Sequence, residues 1–327
     1  MLKIVFGIPT YNGSKTICDT LISIISQEKV FGFEYSILIS DNNSTDNVIE
    51  LASNFLIARN FSQFEIITNS NYDNSFDGNI VNLYLNFSGD YIWFLSDDDS
   101  LANNKSFFHF AELISNSNSN VFVCNYEECD SKLRVINPRV RKDEVKNLVT
   151  ENINYWLEST MLNFGLISTL VLKKNCVSIN QLFEFYGLKS IHIGMAIISA
   201  ANGISQSTEL KLVKMRSGIT NWGKDGTFAI NFINISVIIY KCYSLNFIDK
   251  KGMKFAQNIF FNDNWFVIIK SKIRGLTYNR LLILKQCLSY SHFFRFWTFD
   301  FLLLLIPNKL FKLLFKIKKL YGSNFCK

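Results

Sequence analysis

The sequence predicts an α/β protein with a mostly parallel sheet, flanking helices and a helical C-terminal region. Three observations carry this expectation. Short apolar runs of strand length alternate with runs whose apolar residues recur at helical spacing through the first third of the chain. Polar clusters follow three of the strand-like runs, at Thr10 to Asn12, Asp41 to Asp46 and Asp97 to Asp99. The chain has 327 residues, 48% of them hydrophobic, enough to bury a large core.

In order along the chain, Lys3 to Ile8 reads as a buried strand, and Pro9 to Gly13 as the turn that leaves it. Ser14 is a plausible cap for a helix whose apolar face is Ile17, Leu21, Ile24 and Ile25. Tyr35 to Ser40 reads as the second strand, and Val48, Leu51, Ala52, Phe55 and Leu56 as the face of a second helix. Phe64 to Thr68 is a third strand, followed by a helix with Ile80, Leu83, Tyr84 and Phe87 inward. Tyr91 to Leu95 is a fourth strand that runs without a turn residue into three carboxylates; Val121 to Cys124 is another strand. Connections of this kind place ligands at the carboxyl ends of the strands, where the polar clusters fall.

Three adjacent like charges in a low-dielectric site make physical sense when a divalent cation neutralises them. Neither GxGxxG nor GxxxxGK[ST] is present, so the phosphate cradles of dinucleotide folds and P-loops are both missing. A metal on the aspartates plus a basic side chain is the alternative. The seven cysteines are scattered without CxxC spacing, which argues against a zinc site or a disulfide framework. With no signal peptide in view, the expected compartment is the cytoplasm.

IPTYN at 8–12, SDNNSTD at 40–46 and GDYIWFLSDDD at 89–99 resemble the nucleotide-sugar-binding half of family 2 glycosyltransferases, which have the GT-A fold. More narrowly, the SDNxSTD form, Asp77-Gly78-Asn79, a lone His192 before an apolar helix and Arg216 near a polar loop resemble the abequosyltransferase-like branch of O-antigen synthesis. The resemblance implies that Asp41 faces the pyrimidine ring, that Thr10 and Tyr11 line the base pocket, and that Asp77 and Asn79 approach base or ribose. A carboxylate accepts from uracil N3–H or from a cytosine amino group, so UDP, dTDP and CDP donors stay open. The family pattern is usually D-x-D-D, and Ser96 stands where the first aspartate would be. Asp98 is then expected as the main ligand of Mg²⁺ or Mn²⁺, with Asp99 beside it in the metal site and Asp97 or Asp99 reaching ribose or metal-bound water. Inverting enzymes need a base for the acceptor hydroxyl. No ED motif follows Leu172, and the helix-like run Ile191 to Ala201 begins instead with Ser190-Ile191-His192. A histidine titrates near neutrality and can take such a proton. The residue alone reads equally as a histidine packed at a helix end, and the resemblance implies His192 as the base, with metal or diphosphate ligand as its second possible role. His109 and His292 are expected to be structural. Arg216 is expected to hold the diphosphate, and Trp222, between glycines, to belong to a lid over the donor.

The expected domains are a nucleotide-sugar-binding half at 1–125, an acceptor half with the lid loop at 126–223, and a helical region at 224–327. Tyr155 to Leu172 would form a wall of the acceptor cleft. Phe293 to Ile306 is apolar and aromatic but ends at Pro307, short of a spanning helix. Lys309, Lys312, Lys316 and Lys319 then oppose Leu310, Leu313, Leu314, Ile317 and Leu320 on a basic amphipathic helix. The formal charge of +7 is therefore assigned to an anionic membrane surface and not to nucleic acid. The functional expectation is an inverting glycosyltransferase, peripheral on the inner face of the bacterial plasma membrane, with a nucleoside-diphosphate sugar as donor and a lipid-linked oligosaccharide as acceptor. A sugar nucleotidyltransferase and a non-catalytic nucleotide-binding protein are the alternatives.

Overall fold

The computed structural model describes residues 1–136, 145–217 and 234–259, with a few isolated positions between 302 and 310. Trp222 and nearly all of the expected membrane-surface helix lie outside the described residues. The first strand, β1 (Leu2–Thr10), is buried along almost its whole length, and its continuous apolar run is what a central parallel strand requires. It lies between β2 (Phe33–Asp41) and β4 (Tyr91–Phe94), both parallel to it; β3 (Phe64–Thr68) extends the parallel array beyond β2. In this register Thr10 pairs with Asp41, so two of the polar clusters are side by side.

Beyond β4 the sheet is mixed. The short strand β5 (Ser100–Leu101), β6 (Val121–Cys129), β7 (Leu148–Thr150), β8 (Leu170–Lys173) and β9 (Ser205–Arg216) complete it, in the order β3-β2-β1-β4-β8-β6-β9-β5, with β7 on β9. The strand β8 runs antiparallel to both β4 and β6, whereas β9 is parallel to β6. The expectation of a mostly parallel sheet therefore holds for β1 to β4. The strand β6 runs through the expected boundary at 125 and ties both sides of it into one sheet.

Side chains alternate between two cores, as the two-residue period of a strand demands. Ile4, Phe6, Ile8, Trp93 and Leu95 face α1 (Ile17–Ile25), α2 (Val48–Ile57) and α4 (Ser106–Ser115). Val5, Leu38, Ile92 and Phe94 face α3 (Phe76–Asn86), α5 (Ile153–Thr160), α6 (Ile179–Phe183), α7 (Ile191–Ala201) and α8 (Ile235–Ser244). The helix α7 is apolar all round and buried at ten of its eleven positions, the pattern of a helix packed on every side. Gly194 allows this: a Cβ there would come within 2.6 Å of the Phe185 ring.

Candidate active site

The carboxyl edge of β1, β2 and β4 carries the expected donor residues. The two turns that leave β1 and β2 are clamped together: Asn12 N–H donates to Ser44 Oγ at 2.9 Å, Thr45 N–H to Asn12 Oδ1 at 2.8 Å, and Ser14 N–H to Asp46 Oδ2 at 2.8 Å. Asp41 is buried and accepts the Ser44 N–H with both oxygens at 3.2 Å. Asn69 Nδ2 donates to Asn42 Oδ1 at 2.9 Å, and Asn79 Nδ2 to the Thr10 carbonyl at 3.3 Å. Asn69 Oδ1, Asn79 Oδ1 and Asp46 Oδ1 are buried acceptors without a protein donor. A buried acceptor without a partner among the described residues is costly, and three fall along this one sheet edge. Tyr11 is exposed beside them.

The aspartate run is split by its surroundings. Asp97 is buried and takes a 2.5 Å hydrogen bond from Thr10 Oγ1 and the Tyr11 N–H, while burial pushes its carboxyl up to about 7. Asp99 is buried more deeply: Ser168 Oγ donates to its Oδ2 at 2.5 Å and the Arg216 N–H to its Oδ1 at 2.9 Å. Asp98 is half-buried, with Ser96 Oγ donating to its Oδ1 at 2.6 Å. Burial raises the proton affinity of both Asp98 and Asp99. Among the described residues no group of three His, Cys, Asp or Glu side chains is gathered as a metal cage. The carboxylate chemistry nonetheless fits a hard cation of the kind that takes one or two carboxylates and completes its shell with phosphate oxygens and water, and Asp98 is the residue that could hold one. Asp99, expected beside Asp98 as a second ligand, has its oxygens turned inward to Ser168 and the β9 backbone.

Arg216 also departs from expectation. β9 runs antiparallel to β5, which carries the end of the strand back to the aspartates. Its side chain is only 3% exposed: Nε donates to the Asp98 carbonyl, Nη1 to the Ser131 carbonyl and Nη2 to Asp19 Oδ2, each at 2.7 Å. These three bonds brace the aspartate loop from beneath. Asp77 is fully buried and accepts the Lys189 N–H at 2.7 Å and the Ile191 N–H at 3.1 Å, so its oxygens face the start of α7 in place of a base or ribose.

His192 lies in the first turn of α7, with its Nε2 3.2 Å from the Gly165 carbonyl. A carbonyl only accepts, so Nε2 carries the proton and Nδ1 presents the lone pair. Nδ1 is buried and has no hydrogen-bond partner among the described residues, and burial lowers the imidazole to about 4. The Phe76 ring stands edge-on to it with centroids 5.6 Å apart. Gly165 and Ser168 belong to one pair of tight turns, Asn163–Gly165 and Ile167–Thr169. The segment that holds His192 therefore also holds Asp99. Sequence reasoning had this stretch as a cleft wall with Asn163, Gly165 and Ser168 interspersed, but it gave Ser168 no role toward Asp99 and missed Asp19, whose ion pair with Arg216 spans 197 positions. A cavity of about 270 Å³ lined by Lys3, Glu34, Phe64 and Ser88 opens at the opposite ends of the strands and includes none of these residues. Among the described residues no helix is long and apolar enough to cross a membrane.

A parallel sheet edge with clamped turns and a terminal aspartate run marks an α/β protein with polar groups gathered at the carboxyl ends of its strands, and comparison with known proteins specifies the family. The model of glycosyl transferase family 2 matches residues 6–170, half of the chain, and the protein belongs to that family: it is a glycosyltransferase. It is similar to the abequosyltransferase RfbV of Salmonella typhimurium, with 27% identity over 270 residues, 77% of this chain and 79% of that one. The fold is shared with S. aureus TarS 1-349 in complex with UDP, at a TM-score of 0.58 and 17% identity over 85% of this chain and 76% of that one. It is shared also with mannosyltransferase PcManGT from Pyrobaculum calidifontis in complex with GDP-Man and Mn²⁺, at a TM-score of 0.51 and 10% identity over 98% and 88% of the two chains.

Proposed function

We propose that this glycosyltransferase moves a sugar, with inversion, from a nucleoside diphosphate to a polyprenyl-diphosphate-linked oligosaccharide during O-antigen-type polysaccharide synthesis. The observation that carries the reading is the alignment of Thr10, Asp41 and Asp97–Asp98 along one sheet edge, with buried acceptors unfilled beside them. The similarity to an abequosyltransferase supports the O-antigen setting, and the basic C-terminal sequence supports a membrane-surface location.

Asp41, Asn69 and Asn79 offer acceptors to the base and ribose, and exposed Tyr11 offers a ring to stack on the base. Asp98 would hold Mg²⁺ or Mn²⁺, and such a cation would supply positive charge against the departing diphosphate. The acceptor hydroxyl donates to His192 Nδ1, whose lone pair stays unprotonated at neutral pH because the imidazole is buried. The Gly165 carbonyl fixes the ring through Nε2–H, and negative charge brought in by the donor raises the imidazole's proton affinity as the hydroxyl attacks.

The test is a thermal-shift screen of UDP, CDP, GDP and dTDP with and without Mn²⁺, followed by transfer from the stabilising nucleotide's sugar to a lipid-linked acceptor. One nucleotide is expected to stabilise the chain more with Mn²⁺ than without. Asp98→Ala is expected to lower transfer at least ~100-fold with an unchanged circular-dichroism spectrum. Full transfer by that variant would defeat the site assignment.

A further inference from the structure

We infer that Asp77 is a positioning residue for His192: its buried carboxylate fixes the backbone at the entry of α7 and so sets where the imidazole stands. This rests on the reading of His192 as the base. The entry is a segment that does not hold itself. Gly187 and Lys189 both have positive φ, at 84° and 58°, and Ser190, at the N-cap, makes no side-chain cap to the helix. Lysine in the left-handed region is disfavoured, and an uncapped helix start leaves N–H groups without partners. Asp77 supplies the missing acceptor from another element, taking the Lys189 and Ile191 N–H groups, with Gly187 N–H also directed to it. A carboxylate there also suits the positive end of the helix dipole.

The neighbours of Asp77 share the task. Phe76 stands against the His192 ring, and Tyr186 Oη donates to Asp73 in the turn before α3. On its other side the same turn of α3 reaches the donor edge, where Asn42 Nδ2 donates to the Ser75 carbonyl at 3.4 Å and Asn79 Nδ2 to that of Thr10 at 3.3 Å. The first turn of α3 therefore spans from the strands that carry Thr10 and Asp41 to the helix that carries His192. A shift of an ångström in such a link costs rate and leaves nucleotide binding in place.

The experiment is a double-mutant cycle of Asp77→Asn and His192→Ala in the full chain, with transfer kinetics and nucleotide affinity by calorimetry. Asp77→Asn is expected to lower kcat about tenfold or more, with the donor Kd unchanged. In the His192→Ala background the same substitution is expected to cost less than about twofold, because coupled positions are not additive. A raised donor Kd with kcat retained would make Asp77 a donor ligand. Equal losses in both backgrounds would show that it acts without His192; either result overturns the inference. Full activity of His192→Ala alone would sink the base assignment, a separate outcome. Should Asp77→Asn fail to fold, Tyr186→Phe tests the same link: a drop in kcat that vanishes without His192 supports it, and an unchanged kcat overturns it.

Discussion

Gly13 shows how closely the donor edge is packed. A Cβ at that position would fall 2.1 Å from Asp97 Oδ2 and 2.7 Å from Thr10 Oγ1, the two atoms that share the 2.5 Å hydrogen bond. Gly13→Ala must therefore part them and strand a buried carboxyl. The expected cost is about 1–3 kcal/mol, read as a lower urea midpoint, together with weaker nucleotide binding by calorimetry; unchanged values of both would contradict this packing. The aspartates themselves were legible in the sequence because three carboxylates at a strand end are conspicuous. Their separate roles were not. Ser168, Thr10 and the Arg216 backbone decide which way each points, and all three come from distant parts of the chain. The partners of Arg216 were hidden for the same reason: nothing near it in sequence announces Asp19 or the carbonyls of Asp98 and Ser131.

The helix α7 meets α3 through two buried titratable groups with opposite effects on stability. Burial raises the Asp77 carboxyl to about 6, so the folded chain holds that proton more tightly than the unfolded one. Its contribution is full below about pH 4 and is lost as pH rises through about 6. Burial lowers His192 to about 4, so its contribution is full above about pH 6.5 and is lost as pH falls through about 4. Between pH 4 and 6 the two offset one another. With Asp77→Asn, stability by urea denaturation is expected to climb with pH across that window; with His192→Gln it is expected to decline. Parallel slopes in the two variants would show that these groups do not set the balance. The bounds of α7 were readable, since its apolar run at 191–201 is long and starts after a polar turn. The strand β9 was not: Thr208, Glu209 and Lys211 are polar, Glu209 and Leu210 are exposed, and nothing in the run marks a strand until β6 is seen beside it.

At the level of the whole molecule, the parallel half of the sheet was legible because each of its first three strands in sequence precedes a helix-period run. The antiparallel insertion of β8 between β4 and β6 was hidden: four residues carry no pattern that names their neighbours. That insertion joins the halves. Without it, β4 is an edge and the core around Ile92 and Phe94 loses α7 and Trp156. A fragment of residues 1–125 is therefore expected to associate or to lack fixed tertiary packing, seen by size-exclusion chromatography and near-UV circular dichroism. A monomer with cooperative melting would contradict the shared-core architecture.

The late arrival of β8 has a cost during synthesis. A ribosome delivers Tyr91 to Phe94 long before the strand that covers their free side, so the growing chain presents a sticky ledge to its surroundings until β8 has emerged. Cells that make this enzyme in quantity have reason to shield that ledge with a holdase, and overproduction that outruns such shielding should fill inclusion bodies with half-built chains.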